Sequence, residues 1–349
     1  MHLGGDASLG AGLNTHPSQP KLAIGLSLGE SISEHGKLNR YAIPMTHLHY
    51  SSAVFDDVDQ YQQWADEVGW ELASAQLSHG TNQITFDHIA LPEISVAHHR
   101  AKQAMYDVFT IPSRHVVFVI CRAKLPAVWC GRDLPASLLA IHRPVRTYCA
   151  RLPAGWDTYE FTVSEDLIER TELFPPDFFE KTTRFEQAFL PLVEPQTGLF
   201  LKRIDSYFQV TRTASGVLED AASPTELYEC ILHGLQQLID TGLRAGPSRL
   251  HQHTRRPDLV EQARDFMLAN LQFDLTVDQI AQSLSVSCRV LNYAFQDNVG
   301  VSPYLYLLTE RLHSVRRKLT SSDASIAEVC MSYGFSTPSR FARQYRRLF

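Results

Sequence analysis

The sequence has no C-x-x-C pair and no short-range cysteine and histidine quartet; its six cysteines, Cys121, Cys130, Cys149, Cys230, Cys288 and Cys330, are scattered over 349 residues. That spacing gives neither a disulfide framework nor a zinc module, and it reads as the reduced thiols of a cytoplasmic protein. Long hydrophobic runs are missing too. The longest, residues 116–121, is far short of the roughly 18 residues that a spanning helix needs, so no membrane partner is expected. The N-terminus lacks a basic start followed by an apolar block, which speaks against a secretory signal. His47/His49, His98/His99 and His251/His253 are followed by no Glu or third His at ligand spacing. With no recognisable nucleophile and base pair either, the sequence offers no metal, no cofactor and no enzyme. An excess of positive charge is also absent. Lys+Arg number 32 against 38 Asp+Glu, net −6, which taken over the whole chain argues against nucleic acid.

What the sequence does have is the balance of a soluble globular protein, 44% hydrophobic and 20% charged, at a length that suggests two domains. Residues 1–40, rich in Gly, Ser and His, read as a flexible lead-in. From 52 to 75 apolar residues recur at helical spacing. Between 80 and 163 short β-rich runs alternate with turn residues and prolines, the texture of an antiparallel barrel or sandwich. The aromatic residues on those runs, Phe118, Trp129, Tyr148, Trp156 and Tyr159, are core or the lining of a ligand pocket. Helical patterns follow at 164–173, 175–193 and 224–243. In the last, Leu227, Ile231, Leu232, Leu235, Leu238 and Ile239 form one stripe, either core or a dimer seam. The stretch Ala245–Asp258 carries Gly, two Pro and mixed charge, and residues 245–257 read as a linker.

Beyond the linker the pattern sharpens. Leu259–Leu271 is one amphipathic helix. Thr276-Val277-Asp278-Gln279 is a capping box opening a short helix with Ile280 and Ala281 inward. A turn carrying Val286 and the hydroxyl of Ser287 leads to a second helix with Leu291, Ala294 and Phe295 inward, a helix-turn-helix pattern. The unit then repeats. Val277, Ile280, Val286 and Ser287 map onto Ile326, Val329, Phe335 and Ser336 at an offset of 49, and Leu291 and Phe295 onto Phe341 and Tyr345 at an offset of 50. Between the units, Ser302-Pro303 opens a helix expected to bury Leu305, Leu308, Leu312, Val315 and Leu319.

Residues 258–349 thereby resemble the DNA-binding domain of AraC-type transcriptional regulators. The resemblance is carried by Ile280-Ala281, Val286-Ser287, Leu291, Phe295, Gly300-Val301-Ser302-Pro303-Tyr304, Arg311, Arg316, Leu319, Ile326-Ala327-Glu328-Val329, Gly334-Phe335-Ser336 and Phe341-Ala342-Arg343. It implies a further segment containing Gly and Pro beyond Phe349. By layout, and by the phrase Val163-Ser164-Glu165-Asp166-Leu167-Ile168, the first part loosely resembles the ethanolamine-utilisation regulator type, with no effector carried over. The resemblance implies an α+β chain: residues 41–244 a barrel-like or sandwich-like sensing and dimerising domain with helices, and 258–349 an all-α tandem helix-turn-helix domain. Its implied partners are double-stranded DNA, RNA polymerase, a small-molecule effector and a second copy of the chain, with activation as the implied outcome. The alternatives are a ligand-independent dimeric DNA-binding regulator, or an enzyme with a helical appendix.

Within the second helices, Arg289, Asn292 and Gln296 share one polar face, as do Arg340, Arg343 and Arg347; these residue types read base edges, Arg at guanine and Asn or Gln at adenine. Ser287, Ser336 and Thr337 are expected as caps that also offer a hydroxyl to phosphate, and Ser339 as a further DNA contact. Arg316, Arg317 and Lys318 either stabilise a helix C-terminus or touch DNA. Counted by segment the charge reverses. Residues 255–349 hold twelve basic and nine acidic residues, net +3, while 1–254 are net −9; from Arg289 onward the balance is +5.

Overall fold

The computed structural model describes residues 48–67, 70–122, 125–143, 147–171, 187–213, 224–246 and 256–349; the expected lead-in at 1–40 and residues 247–255 of the expected linker lie outside them. Among the described residues, no helix is long and apolar enough to cross a membrane.

Twelve strands among the described residues form two antiparallel sheets. The larger runs β1 (His49–Phe55), β3 (Ile84–Leu91), β4 (Ile94–Ala101), β11 (Trp156–Ser164), β6 (His115–Cys121), β9 (Leu138–His142) and β12 (Gln187–Pro191). The smaller runs β2 (Leu72–Gln76), β5 (Met105–Phe109), β10 (Tyr148–Leu152), β7 (Ala127–Trp129) and β8 (Arg132–Leu134). Their side chains alternate as a strand's must. On β6, Val116, Phe118 and Ile120 face one core while Val119 and Cys121 face the other. On β5, Met105 points into the sandwich and Tyr106 and Val108 point out of it.

The sandwich interior is packed by Phe86, Met105, Trp129, Tyr148 and Trp156, with α1 (Val58–Glu67) adding Val58, Tyr61 and Ala65. The aromatic residues of β7, β10 and the start of β11 are therefore core. On its other face the large sheet is covered by α2 (Glu165–Thr171), α3 (Gln196–Thr213) and α4 (Pro224–Ala245). The α4 stripe from Leu227 to Ile239 is buried there against Phe118, Phe161 and Phe200, so it is core and not a seam. Asp87, buried in β3, fixes this layer by accepting from Tyr50, Ser52, Arg100 and Arg212.

Two helical expectations hold only in part or are corrected. The 52–75 run is strand β1 followed by α1, with β2 beginning at Leu72. Val54 and Phe55 fall at helical spacing by coincidence, and Asp57 starts the helix by accepting from the amides of Asp59 and Gln60. The end of the 175–193 run is β12, because Phe189 and Leu190 complete the sheet edge against β9.

The C-terminal domain opens at α5 (Pro257–Ala269), one residue before the expected boundary. It continues through α6 (Val277–Ser283), α7 (Cys288–Asn298), α8 (Pro303–Ser321), α9 (Ile326–Ser332) and α10 (Pro338–Leu348). The first unit packs Met267, Ile280, Leu291, Phe295 and Tyr306 onto the outer face of the small sheet, against Ala75, Tyr106 and Val108. The second closes a separate core of Leu312, Val315, Val329, Phe335, Phe341 and Leu348. Leu305, expected inward, is 40% exposed and points to solvent instead; it sits in the first turn of its helix, beyond the end of the buried stripe.

Candidate nucleic-acid interface

The repeat read in the sequence is a repeat of hydrogen bonds. Thr276 caps α6 by accepting the Gln279 amide while the Gln279 side chain accepts the Thr276 amide; Ser325 and Glu328 do the same for α9. Each turn then passes through one left-handed residue, Ser285 (φ 57°) in the first unit and Gly334 (φ 77°) in the second. Each closes with the same bond, the Val286 amide to the Ala281 carbonyl and the Phe335 amide to the Cys330 carbonyl, both at 3.0 Å.

The second helices are capped by Ser287, which accepts the Val290 amide at 3.3 Å, and by Thr337, which accepts the Arg340 amide at 3.2 Å. Thus the one-residue change of offset falls at Ser336. It is the inserted residue, exposed and outside the capping geometry, so the expectation that it caps is corrected in favour of Thr337.

Helices α7 and α10 bury one face and expose the other. Arg289, Asn292 and Gln296 are exposed on α7, and Ser339, Arg340, Arg343 and Arg347 on α10. On α7 the polar side chains are held along their own helix. The Arg289 guanidinium lies over the Tyr293 ring at 5.5 Å, the Asn292 amide donates to the Cys288 carbonyl at 2.7 Å, and the Gln296 amide donates to the Gly300 carbonyl at 3.2 Å. On α10 the side chains of Arg340, Arg343, Arg346 and Arg347 make no ion pair with described residues, which leaves a row of guanidinium groups facing solvent.

Two members of these faces were missed, Tyr293 and Arg346, both exposed. The repeat contained the signal: at the offset of 50, Tyr293 stands where Arg343 does and Arg346 where Gln296 does.

Helix α8, 19 residues and about 28 Å long, joins the units. Arg311 ties them together. Its guanidinium, buried and thereby lowered in pKa, donates to the carbonyls of Leu271 and Phe273 and packs against Gly334. A Cβ on Gly334 would stand 3.2 Å from Arg311 Cζ, at a backbone angle that disfavours any side chain. Gly334→Ala is expected to lower the stability of this domain by about 1–2 kcal/mol from the left-handed backbone alone. An unchanged urea midpoint would contradict it.

Arg316 and Arg317 have partners that the sequence did not suggest. They reach back to the start of α1, Arg316 pairing with Asp57 and, at 3.6 Å, with Asp59, and Arg317 with Asp59 at 3.0 Å. His313, fully buried between them and Phe349, accepts the Gln76 amide at Nε2 (3.4 Å). That contact puts the proton on Nδ1, which faces Asp59 at 3.6 Å. The Gln76 side chain donates to the Leu348 carbonyl, the Gly80 amide donates to the same oxygen at 3.0 Å, and the His79 ring meets the Arg347 carbonyl at 3.0 Å. The C-terminal end of α10 is therefore held by the β2–β3 turn of the sandwich. Asp57, Asp59, Gln76 and His313 carry no sequence signal for this role, because each pairs across more than two hundred residues.

Two units of this geometry joined by one helix define a tandem helix-turn-helix domain. Residues 280–349 match the family described as "Helix-turn-helix domain". A probable thc operon regulatory protein of Rhodococcus erythropolis is 32% identical over 129 residues, 36% of this chain and 38% of that one. The XylDLEGF operon transcriptional activator of Pseudomonas putida is 32% identical over 92 residues, 26% of this chain and 29% of that one. A solved transcriptional regulator with an AraC-type DNA-binding domain, from Chromobacterium violaceum, is 31% identical over 27% of this chain and 84% of that chain, with a TM-score of 0.26. Residues 280–349 thus form a helix-turn-helix domain similar to the DNA-binding domain of AraC-type transcriptional regulators. The chain spans well under half of the length of the curated relatives named here, both of which are named as regulators of operons.

Proposed function

We propose that the protein regulates transcription, as an activator, by reading double-stranded DNA with α7 and α10 in successive major grooves. A small molecule bound by the N-terminal domain would set the freedom of those helices. The observation that carries this reading is the exposed pair of second helices. Each is locked at its N-terminus by the same cap and turn, each presents polar or arginine side chains outward, and both are fixed on one helical strut. In such a frame Arg289 and Arg343 are the base readers, while Ser287, Thr337 and Ser339 lie where a helix N-terminus favours phosphate. The name of the Pseudomonas putida relative supports activation, which requires contact with RNA polymerase. Control by an effector is supported by the bonded seam between the two parts of the chain. Because α10 is held by the β2–β3 turn, a ligand that moves β2 acts on the second reading helix through a direct contact.

The test is selection of bound duplexes from a random library with the full chain, then titration of the enriched duplex at fixed salt. Arg343→Ala is expected to lose about 1–3 kcal/mol on that duplex and to relax preference at one position only. Equal affinity of variant and parent for the enriched sequence would remove Arg343 from the interface.

A further inference from the structure

The small sheet carries a pair of thiols that DNA reading does not use, Cys149 packed against the core beneath the first helix-turn-helix unit and Cys130, in the β7–β8 turn, against the edge of the sandwich interior. Strand β10 pairs with β7 through Ala150–Trp129 and Arg151–Val128, so the next step of the ladder sets Cys149 opposite Cys130. The Cys130 amide donates to the Cys149 carbonyl at 2.8 Å, and the Cys149 amide meets Cys130 Sγ at 3.4 Å. Cys130 (φ 44°) and Gly131 (φ 75°) are the two central residues of the turn closed by Trp129 and Arg132, the left-handed pair of a type I′ hairpin. Opposed residues on antiparallel strands stand about 4.5–5.5 Å apart at Cα. That lies inside the window of about 4.4–6.8 Å that a disulfide requires.

Both residues are half-buried reduced thiols, close enough to hydrogen-bond to each other, and the Cys149 thiol also meets the Tyr106 hydroxyl. Tyr106 in turn packs edge-on against Tyr306 of α8 at 5.9 Å, and Cys149 lies within electrostatic reach of Glu261 on α5.

We propose that Cys130 and Cys149 are a modification site, oxidised by a hydroperoxide to a cross-strand disulfide that shifts the seat of the DNA-binding domain on the sheet. Cys130, at the tip of the turn, is the sulfur that attacks the peroxide. The O–O bond breaks, an alcohol or water leaves, and Cys130 becomes a sulfenic acid. The Cys149 sulfur then attacks Cys130 Sγ, the S–O bond breaks, and water leaves with the Cys149 proton. Two thiols and one hydroperoxide give one disulfide, one alcohol or water, and one water. The adjacent Cys130 thiol and burial hold the Cys149 thiol well above its ordinary pKa, which disfavours Cys149 as the first nucleophile. Once the bond forms, Cys149 Sγ turns from Tyr106 toward Cys130, and the contact that runs through Tyr106 to Tyr306 is altered.

The experiment treats the full chain with hydrogen peroxide, titrates free thiols, maps linked peptides by non-reducing mass spectrometry, and follows amide exchange in α5 and α8. Two of the six thiols are expected to disappear into a single 130–149 link that dithiothreitol reverses. Exchange in α5 and α8 should quicken in the oxidised parent, and neither the link nor the change should occur in Cys130→Ser or Cys149→Ser. Six surviving thiols, oxidation of Cys130 to a sulfinic acid without a link, or a link that leaves α5 and α8 exchanging as in the reduced chain would each overturn the proposal. None of these readouts needs DNA, so the outcome is separate from that of the proposed function.

Discussion

Phe295→Ala is expected to unfold the first helix-turn-helix unit and to abolish DNA binding by the whole chain. Phe295 is fully buried at the centre of a core drawn from α5, α6, α7 and α8, with its ring 5.7 Å from that of Tyr306. A buried Phe reduced to Ala typically costs about 3–5 kcal/mol, from lost transfer energy and the cavity left behind. Little relief is available here, because the neighbours that would have to collapse, Leu291, Met267 and Ile280, are themselves seated on the sheet through Tyr106 and Val108. Circular dichroism and a urea titration check it, and a variant that melts with the parent would contradict the inward packing of α7. A core truncation in the second unit, Phe341→Ala, at the position that Leu291 holds in the first, is expected to cost less, since that ring is 8% exposed and its core is smaller.

Asp59→Ala is expected to release the second unit from the sandwich. Its carboxylate meets His313, Arg316 and Arg317, and loss of one partner from a buried charged cluster costs about 3 kcal/mol. The Arg317 side chain is 42% exposed and adds little to that figure. Arg316 keeps Asp57, so the expected result is local opening and not global collapse. Amide exchange in α8 and α10 should quicken while the sandwich strands stay protected. The same carboxylate gives the contact a pH dependence. Burial raises the Asp59 pKa, but the neighbouring His313, Arg317 and Arg316 outweigh it and hold it below its ordinary value. The stability it contributes is therefore full above about pH 4, the ordinary value for Asp, and is lost as the pH falls through the lower value of the folded protein. Acid should loosen the parent's contact in that window and leave Asp59→Ala unaffected. An exchange profile in α8 and α10 that ignores both the substitution and the acid would show that this cluster does not hold the domains together.

The C-terminal domain was legible because its determinants are local. Caps such as Thr276–Gln279 and Ser325–Glu328 act over three residues, and the stripe of Leu291, Ala294 and Phe295 acts over one helix. Such patterns state their own geometry. The first half was legible only as texture: β1 and β12 fell inside runs read as helices, because their places are set by pairing with β3 and β9, far along the chain. The α4 stripe shows the same limit. Its residues declare an apolar face, and only the sheet behind them decides that the face is filled from within. The charge count needed the structure for a further reason. Of the basic residues that make the C-terminal part positive, Arg316 and Arg317 pair with Asp57 and Asp59, and Arg311 binds backbone carbonyls. The positive surface left over is concentrated on α10.

The most direct test of the central claim, that two equivalent units read DNA together, is a footprint of the full chain on the duplex selected from a random library. The two units are expected to protect two major-groove segments about 10 base pairs apart on one face of the DNA. Arg289→Ala should weaken protection of one segment and Arg343→Ala that of the other. A single protected segment, or protection spread evenly along any duplex and lost uniformly with both substitutions, would contradict it.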